Sequence, residues 1–540
     1  MPPSIPRHQL ISGSRATALG TLASRVLGML RDMATAAILG LSGGGVMDAF
    51  VLAFRIPNTF RRLFGEGALA ASYLPVISAE LERQPHRAWK LASVLFAHLA
   101  GLLLFLVLAG EAALGVLALA FDSPEIRLFA SLAAVMLPYM LLICLAAQAS
   151  ATLHALGHFA LPALVPTILN VVWLVAAMAV APWISPDKAV QAHVLAVAIL
   201  IAGVLQLAVQ IPLLRARGFR FDYDPRSARE KFTLILKAMG PMTVGLMITQ
   251  INSLIDSLVA WLLSSPSPDG GPISWLGGCL DYPMAQGAVG ALYYAERLYQ
   301  FPLGILGLAV ATAIFPLLSR HAARNDQPRF SHDLTLGLRL VLFLGVPASA
   351  GLVLLAEPLA RLLFQHREFT SQDALRTARV IAGYSWGVWA YCALPVIVRA
   401  YYALGDRITP IRIGTATVAL DFTLNLVLIW FMAETGLAIS TSIGASLQVV
   451  VLAVLFSRRK VRLGWPSLAA TSSKTIIATA LMSGAAVAAI QLLPHSAGLT
   501  GRLLDVVIPL AIAVAVYLAA ARFLKIRELG LLFAWGAKAE

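Results

Sequence analysis

Long apolar runs recur along almost the whole chain, and they restrict what it can fold into more than any other feature. A helix needs roughly 20 apolar residues to cross the hydrocarbon core of a bilayer, where backbone polar groups must bond within the helix. Only 13% of the residues are charged, against about 25% in soluble domains. The runs predict an all-α membrane protein. We place about fourteen transmembrane helices at residues 14–40, 46–79, 91–119, 126–153, 161–184, 190–214, 232–264, 287–319, 333–356, 376–404, 409–432, 437–457, 474–493 and 503–524.

Basic residues are concentrated in alternate loops, which predicts the orientation of the chain. Lysines and arginines crowd the loops near 83–90, 215–237, 320–329, 407–412 and 458–462. Cytoplasmic loops of membrane proteins are enriched in these residues, so both termini are expected on the cytoplasmic side. The net charge of +14 follows from the same bias. Without a basic tract interleaved with aromatic residues, a nucleic-acid partner is not expected.

Short motifs recur at an offset of roughly 240–250 residues. Ala-Leu-Gly at 155–157 recurs at 403–405, and the run 70–78 resembles the run 311–319. Each pair falls on helices six apart, which is typical of a parallel repeat with two lobes around a central site. The predicted division is an N-lobe with helices 1–6, a C-lobe with helices 7–12 and a C-terminal helix pair, at 1–225, 226–465 and 466–540.

Charged residues lie inside three predicted helices, where each costs several kcal/mol unless it meets a partner or a water-filled cavity. Six arginines (Arg25, Arg31, Arg55, Arg61, Arg62, Arg297) accompany four carboxylates (Asp32, Asp48, Glu66, Glu296). Arg25 and Asp32 are spaced by seven and share a helix face. The surplus of arginine favours an anionic cargo, because guanidinium groups match phosphate oxygens.

The alternative is that the arginines only pair with these carboxylates and hold helices together. That alternative is strongest for Arg62, which has Glu66 at i+4, and the role of Arg55 is left open.

A second polar set is acidic. Asp256 lies within the seventh helix, and Asp421 and Asn425 are spaced by four in the eleventh. Oxygen ligands suit a hard cation or a proton relay. Hydrogen bonding between helices is the equally simple alternative. No nucleotide-binding loop and no catalytic or metal-ligating constellation stands out, so a transporter is favoured over an enzyme.

Several motifs together resemble the MurJ (MviN) family of lipid II flippases, in the multidrug/oligosaccharidyl-lipid/polysaccharide exporter superfamily. The matching stretches are Ser-Arg-Val-Leu-Gly at 24–28, Arg31-Asp32, Asp-Ala-Phe at 48–50, Ile-Pro-Asn at 56–58, Arg61-Arg62, Glu-Gly-Ala at 66–68, Tyr-Ala-Glu-Arg-Leu at 294–298 and Thr409-Pro410. The likeness covers essentially the whole chain.

The resemblance implies functional residues. Arginines lining the central cavity of the family match Arg25, Arg31, Arg61 and Arg297, and Asp48 matches a functionally important position. The residues expected to bind the cargo are therefore these four arginines with Asp32 and Asp48. A sodium site in some relatives matches Asp256, Asp421, Asn425 and Thr441 approximately. Helices 13 and 14 are implied to form a groove for the isoprenoid tail of the cargo.

The resemblance also implies a function. The expected cargo is lipid II, the undecaprenyl-diphosphate-linked peptidoglycan precursor, moved from the cytoplasmic to the periplasmic leaflet of the bacterial inner membrane by alternating access. No cofactor is expected; Na⁺ or H⁺ and the membrane potential are the candidate driving forces. A monomer surrounded by membrane lipids is expected, with the cell-wall synthesis machinery as a candidate partner. Two alternatives remain open: a flippase for another polyprenyl-diphosphate-linked glycan, and a membrane enzyme acting on a polyprenyl diphosphate.

Overall fold

The structure is a computed structural model that describes residues 7–65, 68–267, 270–273, 278–492 and 498–531. These residues form α-helices with three short π-helical turns. The helices, in chain order, are α1 (Arg7–Leu39), α2 (Val46–Phe60), α3 (Ala68–Arg83), α4 (Pro85–Ala120), α5 (Pro124–Ala155), α6 (Ala160–Val175), α7 (Ala181–Ile184), α8 (Lys188–Ala208), α9 (Ile211–Ala216), α10 (Pro225–Leu262), α11 (Ala288–Pro302), α12 (Leu308–Ala323), α13 (Gln327–Leu354), α14 (Ala356–Phe364), α15 (Ser371–Ser385), α16 (Val388–Ala403), α17 (Ile408–Met432), α18 (Glu434–Arg459), α19 (Trp465–Leu492) and α20 (Leu499–Phe523).

Within the described residues, eleven helical segments are long and apolar enough to cross a membrane. Three further segments, formed by α1, by α2 with α3, and by α10, complete the fourteen crossings. These three carry most of the buried charges, which lowers their hydropathy. The predicted all-α fold is confirmed, and most helix ends agree within a few residues; the thirteenth crossing begins earlier, at Trp465.

Helices of the predicted lobes pack mainly within their own lobe. In the first half of the chain α5 packs against α2, α4 and α8, and α1 packs against α6. In the second half α16 packs against α12, α13 and α18 in a similar arrangement. Helix α10 contacts α3 and α4 as well as α17, so it bridges the two halves. The terminal pair α19 and α20 packs against α13, where Tyr517 donates a hydrogen bond of 2.5 Å to the carbonyl of Phe343.

Two of the three π-helical turns interrupt helices that carry charge. Arg61–Gly65 separates α2 from α3, and Leu303–Gly307 separates α11 from α12. Such turns are rare and occur frequently at functional sites, because they redirect side chains within a helix. In the second turn, a Cβ on Gly304 would lie 2.6 Å from the guanidinium nitrogens of Arg25. Glycine at 304 therefore leaves room for that arginine.

Candidate functional site

A cavity of about 400 Å³ lies between α1, α2, α5, α6, α8 and α11. Its polar wall includes three of the predicted arginines, Arg31, Arg61 and Arg297. The cavity extends to His154 and Pro162, where α5 ends and α6 begins. By the predicted orientation this end faces the cytoplasm.

One carboxylate serves two of the arginines. Asp32 is buried and accepts hydrogen bonds of 3.0 and 2.6 Å from Nε and Nη2 of Arg31. Nε of Arg297 lies 3.2 Å from the other carboxylate oxygen of Asp32. Two guanidinium groups therefore share a single negative charge beside the cavity. Such an excess of positive charge attracts an anion with oxygen acceptors.

Neighbouring side chains fix the orientation of these arginines. The amide oxygen of Asn170 accepts a hydrogen bond of 3.1 Å from Arg31, whose guanidinium lies 4.3 Å from the ring centre of Trp173. The guanidinium of Arg297 lies 4.4 Å from the ring centre of Tyr293. Cation–π contacts of this kind stabilise a cation within a preformed site. Sequence reasoning did not identify Asn170 or Trp173. Asn170 could have been identified from the sequence, because it is the single amide side chain within the largely apolar α6.

The other arginines have separate environments. Arg61 lies in the π-helical turn, lines the cavity and donates a hydrogen bond of 3.1 Å to Asn58. Arg25 is exposed, lies against the turn that follows α11, and is not among the residues that line the described cavity. The structure thus brings Arg31, Arg61 and Arg297 together and places Arg25 outside the described cavity, next to Gly304.

Arg62 and Arg55 do not line this cavity and instead contact α10. Arg62 lies 3.4 Å from the amide oxygen of Gln250; its predicted partner Glu66 lies outside the described residues. Arg55 is buried and forms an ion pair of 3.0 Å with Glu296. The role of Arg55, open from sequence, is a structural ion pair in this conformation.

Asp48 lies at the opposite end of α11 from the cavity arginines. Its carboxylate accepts hydrogen bonds of 2.7 and 2.9 Å from the backbone amides of Gly287 and Gly290. These amides form the first turn of α11, where the helix dipole favours a negative charge. Gly287 has a φ of 91°, a conformation that favours glycine. Asp48 therefore connects the two halves of the chain instead of lining the described cavity.

Further contacts close the same end. Ser42 donates a hydrogen bond of 2.7 Å to Asp373 and lies 3.3 Å from a guanidinium nitrogen of Arg376. The backbone amide of Glu368 donates a 3.1 Å bond to the carbonyl of Ala37. We call these contacts, with those of Asp48, the outer latch. Together they hold the cavity closed at the end away from His154.

The predicted acidic residues form a buried cluster. Asn425 donates a hydrogen bond of 2.7 Å to Asp256, and Ser440 donates one of 2.7 Å to Asp421. Asn252 donates a bond of 2.9 Å to Asp421 and lies 3.5 Å from a carboxylate oxygen of Asp256. The two carboxylates thus share neutral donors in the interior.

One predicted member of the cluster lies at its edge. The hydroxyl of Thr441 bonds to the carbonyl of Leu437 in its own helix, at 3.0 Å. Sequence reasoning missed Asn252 and Ser440. The spacing of Asn252 and Asp256, four residues apart, is the same signal that identified Asp421 and Asn425.

One face of α10 connects the acidic cluster to the arginines. Asn252 and Asp256 reach the cluster, while the intervening Ser253 donates its hydroxyl toward Glu296 at 3.4 Å. The carbonyl of Ser253 accepts a hydrogen bond of 3.0 Å from Arg55. The two polar sets are therefore linked through neighbouring residues of α10, Asn252 and Ser253.

Comparisons with known proteins identify the family and the fold. The sequence model of the family described as "Lipid II flippase MurJ" matches residues 35–507. A probable lipid II flippase MurJ of Vibrio cholerae is 31% identical over 467 residues, 83% of each chain. One from Rhizobium meliloti is 31% identical over 518 residues, which cover 93% of this chain and 91% of that protein. A solved structure of lipid II flippase MurJ in an inward closed conformation has a TM-score of 0.73 at 24% identity, covering 94% of this chain and 98% of the other.

Proposed function

Because this chain belongs to the MurJ family of lipid II flippases, we infer that it is a transporter that moves lipid II between the leaflets of a membrane. The observation that carries the chemistry is the pair of arginines sharing one buried carboxylate. Arg31 and Arg297 hold more positive charge than Asp32 neutralises. The diphosphate of lipid II supplies the oxygen acceptors that such a pair binds.

The geometry supports an alternating-access cycle. With the outer latch closed, the headgroup enters from the end near His154 and reaches Arg31, Arg61 and Arg297. Its negative charge reduces the repulsion between the two guanidinium groups at Asp32, which allows the halves to approach on that side. Release of the outer latch then opens the other side. The isoprenoid tail remains in lipid, beside α19 and α20.

The acidic cluster fits a coupling cation. Its groups are all oxygen donors or amides, and Asp256 and Asp421 lie together in the interior with neutral hydrogen-bond partners. A Na⁺ or H⁺ bound there would supply positive charge to these carboxylates. The membrane potential, worth about 2.3 kcal/mol per charge per 100 mV, favours inward return of the emptied, arginine-rich carrier.

The proposed location, orientation and lobe division follow from the family and from the charge of the loops. We place the chain in the cytoplasmic membrane of a bacterium with both termini inside, since an even number of crossings puts both ends on one side. We assign α1–α9 to an N-lobe, α10–α18 to a C-lobe and the last two helices to tail binding. The protein acts as a monomer beside the cell-wall synthesis machinery.

The central test uses Arg297→Ala in a strain depleted of its own flippase. We expect the variant to reach the membrane at normal levels and to fail to restore growth, because the guanidinium beside Asp32 is lost. Arg361→Ala is the matched control, since Arg361 is exposed on the short helix α14. Normal growth with Arg297→Ala would exclude the role given to this arginine.

A further inference from the structure

The internal repeat relates the wall of the cavity to a second wall in the C-lobe. On α5 the lining residues form a helical stripe that includes Ala147, Ala151 and His154. The motif that ends α5 at Ala155 recurs at the end of α16 at Ala403, so the same offset pairs Ala151 with Arg399. The repeat therefore places an arginine on α16 at the position where α5 carries a small cavity-lining residue.

The contacts of Arg399 are unusual for a charged residue in a membrane helix. Its side chain is half-buried, and its guanidinium donates a hydrogen bond of 2.9 Å to the hydroxyl of Thr312 on α12. That hydroxyl in turn donates to the carbonyl of Leu308 at 2.7 Å. Across the described part of the chain, no carboxylate lies within ion-pair distance of Arg399.

Arg399 is also placed close to the cytoplasmic end of its helix. It lies one turn before the end of α16 at Ala403, as Ala151 lies one turn before the end of α5. The bond to Thr312 holds the side chain sideways, against α12. An arginine that only extended toward water would not need this partner. A guanidinium held in place without a counter-ion leaves donors for an incoming anion.

We propose that Arg399 is a further cargo-contacting residue, which binds an anionic oxygen group of the headgroup at the C-lobe side of the cavity mouth. This inference rests on the proposed function. The anionic oxygens of the cargo come from its diphosphate or from carboxylates of its peptide. In this arrangement Arg399 captures the headgroup before it moves inward to Arg31 and Arg297.

The test measures binding of two probes to the purified full-length protein in detergent. Undecaprenyl diphosphate carries the diphosphate alone, and lipid II carries the peptide as well. We expect Arg399→Gln, which keeps a donor for Thr312, to weaken binding about tenfold, as expected for loss of a hydrogen bond to a charged group. Weaker binding of both probes identifies the diphosphate as the ligand; weaker binding of lipid II alone identifies a peptide carboxylate.

A matched control is available in the same repeat. Arg412 on α17 corresponds to Leu164 on α6, which is exposed and is not among the described cavity-lining residues. Arg412→Gln should therefore leave both affinities unchanged. Unchanged affinities in Arg399→Gln, or an equal loss in Arg412→Gln, would overturn the proposal. Failure of the unmodified protein to bind lipid II would instead overturn the proposed function.

A second experiment places an arginine at another position on the cavity entrance and measures the same binding affinities. His154 lines the same mouth from the N-lobe side, so His154→Arg in the Arg399→Gln background returns a guanidinium to the entrance. We expect this double variant to recover part of the lost affinity. Recovery distinguishes a cargo contact from a structural role, since an arginine on α5 returns positive charge to the entrance but restores no contact of the Arg399 side chain with α12. No recovery, with both variants folded and melting near the unmodified protein, would contradict the proposal.

Discussion

Asp48 is the residue whose replacement tests the outer latch most directly. Its two carboxylate oxygens each accept one backbone amide of the first turn of α11, at 2.7 and 2.9 Å. In Asp48→Asn only one oxygen remains, and the other amide faces an NH₂ group. The loss of a hydrogen bond to a charged group costs about 1.5–3 kcal/mol. The loss of a negative charge at a helix N-terminus adds up to about 2 kcal/mol in partly buried sites.

In the proposed cycle these contacts break when the outer end opens. We therefore expect Asp48→Asn to shift the equilibrium toward the outward-open state by about 3 kcal/mol, or roughly a hundredfold. The reporter is Ala147→Cys on the cavity wall, in a background with the native cysteines at 144, 279 and 392 replaced. A membrane-impermeant maleimide added from the periplasmic side should label this cysteine faster in Asp48→Asn.

Asp187 provides the matched control. It accepts backbone amides at the start of α8, at 2.7 Å from Ala189, within its own lobe. Asp187→Asn changes the same chemistry without affecting the latch, so labelling should not change. If Asp48→Asn is folded and its labelling is also unchanged, the latch reasoning is refuted. Weaker lipid II binding with unchanged labelling would instead support the sequence-based prediction that Asp48 contacts cargo.

Three further predictions concern the polar groups inside the helix bundle. Glu296→Gln leaves Arg55 without its carboxylate, so we expect the free energy of unfolding to fall by about 3–5 kcal/mol and the melting temperature in detergent to drop. The double variant with Arg55→Met should recover part of this loss. A single variant as stable as the unmodified protein would count against the ion pair. Asp421→Asn should remove the dependence of lipid II flipping in liposomes on an imposed Na⁺ or H⁺ gradient. Thr441→Val separates the two interpretations of the cluster: a cation site is weakened by it, whereas a purely hydrogen-bonded cluster is not. An unchanged gradient dependence in Asp421→Asn would exclude the cluster as the coupling site.

The sequence predicted the helices well because hydrophobic length is a local property. All fourteen crossings were identified, including the three polar ones, since the charges interrupt long apolar runs without ending them. The repeated Ala-Leu-Gly motif could be recognised because it ends α5 and α16, where Gly157 and Gly405 adopt positive φ angles. Membership of the MurJ family was predicted from other motifs, such as those at 24–28 and 294–298, and is confirmed.

The pairing of the charges could not be predicted in the same way. Helical periodicity placed Arg25 and Asp32 on one face, whereas Asp32 bonds to the adjacent Arg31 and to Arg297 on another helix. An arginine side chain is long enough to fold back on its neighbour, and the approach of α11 depends on tertiary packing. The same limit applies to Asp48, whose partners are backbone amides that no side-chain pattern reveals.

The polar face of α10 gives the proposed cargo and cation sites a physical connection. Its residues contact the acidic cluster through Asn252 and Asp256 and the Arg55–Glu296 pair through Ser253. Glu296 and Arg297 are adjacent on α11, so a shift of the first changes the position of the second. A cation at the cluster would alter the charge that α10 faces, and therefore the position of α10 relative to α11. Coupling then requires only that α10 has two positions, one for each occupancy of the cluster.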